Sequence, residues 1–216
     1  YYQPIVSLLT GEIVSVEAFD ILRIGHGSDY LRRWHRQRKN SGGLLVHKGC
    51  HVFDLLNWWV GSEPVEVYAR GSRSFFRPRP GHGTHCRDCA IADQCELYVD
   101  ISKGVPTGVS WETLIKDLYL DGEKEDGYLR DRCVFDEEID VWDNTTLAIS
   151  YANGVTATYT EVLFSPFAKR RYVLNGTRGR LEIGMEGKDA VFYPLFRGSV
   201  QEARAQMMNT KSPSTN

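Results

Sequence analysis

Between Ser41 and Gly61 the chain reads SGGLLVHKGCHVFDLLNWWVG, an apolar run interrupted by His47, Lys48, His51 and Asp54. Two imidazoles, an ammonium and a carboxylate form a set that can grip a polar ligand and exchange protons with it. On a helical wheel His47, His51, Asp54 and Trp58 fall at i, i+4, i+7 and i+11, one stripe, while Leu45, Cys50, Val52, Phe53, Leu56, Trp59 and Val60 cover the rest. The pattern predicts one helix buried nearly all round, with a single polar line facing a cleft, a metal or a polar network. An unpaired polar group in a core costs about 1 to 3 kcal/mol. A satisfied core histidine and a capping carboxylate would explain any one of these residues, whereas four in register favour a cleft. His47 and His51 also have zinc-binding spacing, but they lack the adjacent Glu of the metalloprotease helix.

Upstream, Tyr30, Arg33, Trp34 and His35 lead into this segment. An aromatic ring beside a cation suits a sugar, whose C–H face stacks on the ring while its hydroxyls meet the charged donor. A solvated basic loop fits the same residues. A second cluster, HGTHCRDCAIADQC, spaces Cys86, Cys89 and Cys95 next to His82 and His85. Three thiolates and the imidazole of His85 would complete a tetrahedral structural zinc site, pinning a loop too polar to hold itself. A local disulfide with a spare thiol, or three unrelated small residues, are the alternatives. Cys50 and Cys133 read as buried hydrophobes.

The elements that must position these residues follow from periodicity. A helix end at Pro4 to Leu9 precedes a strand through Glu12 to Arg23, rich in β-formers. The polar stretch GHGSDYLRRWHRQRKNSGG reads as a functional loop with one helical turn around Tyr30 to Arg36. After the helix that ends at Gly61 comes a strand through Val65 to Ser72. From about 75 to 140 the periodicity fades into an insertion in which only Ser110 to Asp121 looks helical, with Ser110 as N-cap. Two β-rich runs then flank Asn153-Gly154, a strong hairpin signal, and the pattern repeats around Asn175 to Gly179 before a last strand, DAVFYPLF. Residues 1–198 thus read as one α+β domain, a largely antiparallel open sheet with helices on one face, and residues 199–216 as a poorly ordered tail. Thr156, Thr158 and Thr160 alternate with Val155, Ala157 and Tyr159, so neither face of this hairpin is strongly charged, and the uncovered face is expected to make a homo-oligomer.

Composition excludes several classes. A formal net charge of -2 leaves no footprint for nucleic acid, and the basic group Arg32, Arg33, Arg36, Arg38 and Lys39 is too local to make one. No apolar run is long enough for a membrane span. Five cysteines, an odd number with three crowded together, suit a reducing compartment or a metal site, so a cytoplasmic location is expected. Asn144-Thr-Thr and Asn175-Gly-Thr match glycosylation sequons by chance. The start, YYQPIVSLLTGEIVSV, lacks an initiator Met and a leader, and reads as a piece of a longer protein.

The stretch SGGLLVHKGCHVFD resembles the G-G-G-x-L-x-D-x-G-x-H-x-x-D motif of the C-terminal domain of the Gfo/Idh/MocA oxidoreductases, the glucose-fructose oxidoreductase and inositol dehydrogenase family. The agreement includes Gly42, Gly43, Leu45, Gly49, His51 and Asp54. LLTGEIVSVEAF is similar to the family's entry strand, and YANGVTATYTEVLFSPFAKRRYVLNGTRGRLE to its hairpin and G-T-x-G-x-L strand pair. The resemblance implies an NAD(P)-dependent oxidoreductase acting on a sugar or polyol hydroxyl, with NAD or NADP held by an upstream Rossmann domain that this stretch of chain does not contain. It makes His51 the residue that exchanges a proton with the substrate hydroxyl; Lys48 and Asp54 beside it, together with the aromatic and cationic residues Tyr30, Arg33 and Trp34, are the expected substrate contacts. The family's Asp falls on His47, a departure that removes a carboxylate partner from His51 and admits a redox-assisted glycoside hydrolase or lyase of the same family. A non-catalytic dimerisation or metal-binding module is the remaining alternative.

Overall fold

The structure, a computed structural model, describes residues 3–103, 117–184 and 190–196. The tail and most of the helix expected from Ser110 lie outside those residues. Of that helix, Asp117–Asp121 forms one π-helical turn.

Helix α1 (Gln3–Thr10) leads into strand β1 (Ile13–Ile21). The polar stretch that follows is more ordered than expected. It forms α2 (Ile24–Arg32), a 3-10 turn at Trp34–Arg36 and the short helix α3 (Arg38–Ser41). Gly42 and Gly43 then take φ of +71° and +87°, a region open to glycine and closed to most side chains, which is what lets the chain reverse before the next helix. That helix is not continuous. It divides at Lys48 (φ -120°, ψ -40°) into α4 (Leu44–His47) and α5 (Gly49–Val60).

Strands β2 (Pro64–Ser72), β3 (Asn144–Tyr151), β4 (Thr156–Val162), β5 (Lys169–Gly176), β6 (Gly179–Ile183) and β7 (Ala190–Pro194) complete a seven-stranded sheet in the order β2-β3-β4-β1-β5-β6-β7. Among the described strands β1 and β4 pair in parallel and every other neighbour is antiparallel, so the α+β open sheet expected from the hairpin signals is what forms. Gly154, at φ +87°, makes the β3–β4 turn.

The core shows why the strands alternate. Val16 and Ala18 of β1, Leu147 and Ile149 of β3, Ala157 and Tyr159 of β4 and Leu174 of β5 bury one face of the sheet against Val52, Leu56, Trp59 and Val60 of α5 and Val6 and Leu9 of α1. Thr146, Ala148, Thr156 and Thr158 lie on the other, exposed face. Helix α5 is therefore buried on one side and not nearly all round: His51, Asp54, Trp58 and Cys50 are exposed, which corrects the reading of Cys50 as a buried hydrophobe. Cys133 is buried as expected.

The segment between β2 and β4's partner β3 is the insertion, and it packs a second core of Phe76, Val134, Phe135 and Ile139 against Tyr30 and Leu31 of α2. Charged side chains hold it. The buried Arg32 guanidinium donates to Cys86 Sγ (3.3 Å), to the Arg132 carbonyl (2.8 Å) and to the Leu97 carbonyl. Arg73 reaches the carbonyls of Phe76, Asp136 and Ile139 at 2.6 to 2.8 Å. Arg87 pairs with Asp131 (2.9 Å) and Glu123 (2.6 Å). The buried carboxylate of Asp143 accepts the backbone N–H groups of Ser74, Phe75 and Phe76 at 2.8 to 3.0 Å.

These contacts bear on the zinc expected from Cys86, Cys89, Cys95 and His85. Among the described residues no three His, Cys, Asp or Glu side chains are disposed to hold a metal ion, and that expectation is corrected. The three thiols do converge, with Cys133 and His85, on a space of 10 Å3, at the lower limit for one water molecule. Two of the expected ligand sulfurs are engaged otherwise: Cys86 accepts from Arg32 (3.3 Å) and Cys89 from the Gly83 N–H (3.4 Å), while the neighbouring Cys133 accepts from the Phe135 N–H (3.4 Å). Arginine does the pinning that a metal was expected to do. No helix among the described residues is long and apolar enough to cross a membrane.

Candidate active site

The residues singled out by type and spacing gather where α2, the 3-10 turn and the α4–α5 break meet the C-terminal ends of β1 and β4. Four rings cluster, two pairs of them stacked and two tilted. Trp34 lies on His35 (centroids 3.8 Å apart), His35 on His47 (4.4 Å), and Tyr30 beneath both (4.8 and 5.5 Å). Trp34 is 47% exposed and forms the outer wall, whereas Tyr30 is fully buried, so it supports the site from below. Burial and the nearby positive charge of Arg33 push the His35 imidazole down to about 4, and the same two influences together with Lys48 lower His47. Both rings are therefore neutral near pH 7. Arg33 is tied to Asp29 at 3.1 Å, and Asp29 also pairs with the buried Arg130.

The break between α4 and α5 has a chemical consequence. Lys48 sits at the break, off the stripe of His47 and His51, and its Nζ stands 2.8 Å from Nε2 of His26 on α2. Burial and the neighbouring ammonium lower the His26 pKa, so the ring is neutral and Lys48 donates to it. His26 itself is exposed. Beneath Lys48 runs a row of ionisable groups across three strands: Glu161 of β4 stands beside Asp20 of β1 in the parallel register, and Asp20 beside Arg170 of β5. Arg170 Nε donates to Asp20 Oδ2 at 3.0 Å. Glu161, 2% exposed, accepts the Tyr159 hydroxyl at 3.1 Å. Burial, with the adjacent Asp20 charge, raises its carboxyl to about 8, so it carries a proton at neutral pH.

The structure thus brings Tyr30, Arg33, Trp34, His47 and Lys48 together and places His51 one helical turn beyond His47, at the edge of the cluster, close enough for its charge to act on His47. Asp54 lies farther along the exposed face of α5. Sequence reasoning missed His26, Asp20, Glu161, Tyr159 and Arg170. A signal for two of them was present. Val16, Ala18 and Asp20 alternate on β1, as Ala157, Tyr159 and Glu161 do on β4, so each carboxyl continues a core-facing row. A groove of 890 Å3 lies at the other end of the sheet, lined by Glu12, Asn153, Thr177 and Arg178 among others, and its lining gathers no imidazole or lysine. The Lys48 end, which gathers both, is the candidate site.

The family description "Oxidoreductase family, C-terminal alpha/beta domain" matches residues 9–216. This chain belongs to the Gfo/Idh/MocA oxidoreductase family. The protein YteT of Bacillus subtilis (strain 168) is 36% identical to it, over 86% of this chain and 47% of the relative. The chain therefore spans about half the length of that curated relative. Among solved structures, levoglucosan dehydrogenase in complex with NADH and levoglucosan aligns with a TM-score of 0.53 at 15% identity, over 92% of this chain and 43% of that one. The WlbA dehydrogenase from Bordetella pertussis, in complex with NADH and UDP-GlcNAcA, aligns with a TM-score of 0.53 at 12% identity, over 99% of this chain and 50% of that one. At these identities the two structures show a shared fold. The Gfo/Idh/MocA motif maps onto the end of α3 through α5, where Gly42 and Gly43 bend the chain, Lys48 breaks the helix and His51 sits in the first turn of α5.

Proposed function

We propose that the chain is the substrate-binding half of an NAD(P)-dependent oxidoreductase that oxidises or reduces a sugar or polyol hydroxyl. The observation that carries this reading is the position of the imidazole, lysine and aromatic cluster: it coincides with the family motif, at the site-facing break between α4 and α5. Gly25 and Gly27 lie inside α2, and a Cβ on Gly27 would come within 1.7 Å of the Leu163 carbonyl oxygen, so this glycine serves close packing rather than a phosphate turn. A bound nicotinamide cofactor, held by an upstream Rossmann domain, would supply the hydride acceptor or donor.

In this reading His51 exchanges the hydroxyl proton, because an imidazole can accept the proton on one ring nitrogen and return it from the same atom. His47, neutral and wedged between rings, replaces the family's carboxylate and orients by packing instead of charge. Trp34 offers a face to the sugar ring, while Arg33, Lys48 and Asp54 meet its hydroxyls. The exposed face of β3 and β4, with Thr146, Ala148, Thr156 and Thr158, is the surface through which two copies would associate. Free thiols in all five cysteines accord with a cytoplasmic location.

The test is made on the full-length protein. Reduction of NAD+ or NADP+ by members of a sugar and polyol panel is expected, and His51→Ala is expected to lower kcat by about a hundredfold to ten-thousandfold with the melting temperature unchanged. Wild-type turnover in the His51→Ala enzyme would remove His51 from the chemistry.

A further inference from the structure

We infer that the Lys48 end of the sheet is built for an anionic sugar, one that carries a carboxylate or a phosphate, and that Lys48, His26 and Arg33 receive that group. The inference rests on the oxidoreductase reading for the word sugar, and on charge and geometry for the word anionic.

The charge around Lys48 does not balance. The carboxyl groups whose fields reach Lys48 or His26 are Asp20, Asp29 and Glu161. Each is already committed. Asp20 is gripped by Arg170 through two nitrogens. Asp29 divides its two oxygens between Arg33 and Arg130. Glu161 is buried against Tyr159 and protonated at neutral pH, so it brings no negative charge. Four cations, Lys48, Arg33, Arg130 and Arg170, therefore share two carboxylates. Among the described residues no carboxylate lies within ion-pair distance of Lys48, and its ammonium touches the imidazole of His26 instead.

Burial makes this excess consequential. Lys48 is half-buried, and its pKa is lowered mainly by desolvation; the field of Asp20 opposes this, and the Arg33 and Arg170 guanidinium groups add to the lowering. An ammonium in that setting is destabilised until an anion arrives, and its interaction with the anion is stronger than it would be in water. The neighbouring groups are placed to share the load. His26 is exposed and keeps a proton on Nδ1 when Nε2 accepts from Lys48, and Arg33 has its Nε buried without a protein partner. A neutral hydroxyl would satisfy these donors without cancelling the charge. A carboxylate or phosphate does both.

The experiment compares hexuronates, hexose 6-phosphates and the parent hexoses as substrates of the full-length enzyme. One anionic class is expected to exceed its parent hexose in kcat/KM by about tenfold to a hundredfold, the worth of a charge-assisted hydrogen bond. That ratio is expected to shrink in Lys48→Met, to be partly kept in Lys48→Arg, and to fall as ionic strength rises. Which anion wins identifies carboxylate or phosphate as the source. Parent hexoses that perform as well as both anionic forms, or a ratio unchanged in Lys48→Met and His26→Gln, would overturn the inference. Calorimetric titration with D-galacturonate and D-glucuronate, each without cofactor, separates the two readings. Lys48-dependent uronate binding in a protein that reduces no nicotinamide would retain the anionic site and discard the dehydrogenase.

Discussion

The sheet body and the insertion between β2 and β3 are held by opposite means. In the body, α5 and α1 bury an apolar face against alternating strand residues, and the packing follows from a period that any single strand displays. In the insertion, guanidinium groups from Arg32, Arg73 and Arg87 satisfy backbone carbonyls and carboxylates that lie far away in sequence. The difference teaches that loss of periodicity is not loss of order. A turn-rich segment can be fixed by cations with five donors in a planar fork, provided that each carbonyl finds one.

The largest expected effect tests that contrast directly. Arg32→Ala would leave Cys86 and the carbonyls of Arg132 and Leu97 buried without a donor, and is expected to destabilise the protein by about 4 kcal/mol. Denaturant titration reads the loss, and limited proteolysis should show cleavage in the segment around Cys86 before the sheet opens. An insertion that stays resistant to protease in Arg32→Ala would break the comparison. Leu56→Ala should instead remove about 3 kcal/mol from the body as a whole, because Leu56 is fully buried in the α5–sheet core. Its signature is a lower midpoint with no early cleavage of the insertion. Early cleavage of the insertion in Leu56→Ala would show that its order depends on the sheet core rather than on its arginines.

A further effect concerns the buried carboxyl on which the anionic-sugar inference depends. Glu161 has a folded pKa of about 8 against an ordinary 4.5, so the unfolded chain gives up this proton first and stability falls as pH rises through that window. Glu161→Gln removes the ionisation and is expected to flatten the alkaline limb of a melting-temperature profile. His35 acts in the other direction. Its imidazole is lowered from 6.5 to about 4, so stability declines as pH falls through that interval, and this acid limb should persist in Glu161→Gln. A wild-type profile flat between pH 5 and pH 8 would show that neither group is as desolvated as its surroundings indicate.

Much of the architecture was legible in the chain. Alternation in β3 and β4, the Asn153-Gly154 turn and the glycines before Leu44 are local signals with local causes, and they determined the antiparallel sheet and the helix entry. The motif from Gly42 to Asp54 determined where the site would be sought. What only the tertiary structure decided are the partners. The wheel that put His47, His51, Asp54 and Trp58 on one stripe assumed an unbroken helix, and the break at Lys48 depends on packing that no helical period encodes. His26 meets Lys48 because α2 folds over the end of β1, and Glu161 meets Asp20 because β4 enters the sheet parallel to β1. The cysteines spaced like metal ligands lie together, yet Cys86 takes a hydrogen bond from Arg32 and Cys89 one from the Gly83 amide. Spacing along a chain specifies which groups could meet. Which donor or charge reaches them first is set by strand register and burial, because those fix both the distance and the dielectric that surround each group.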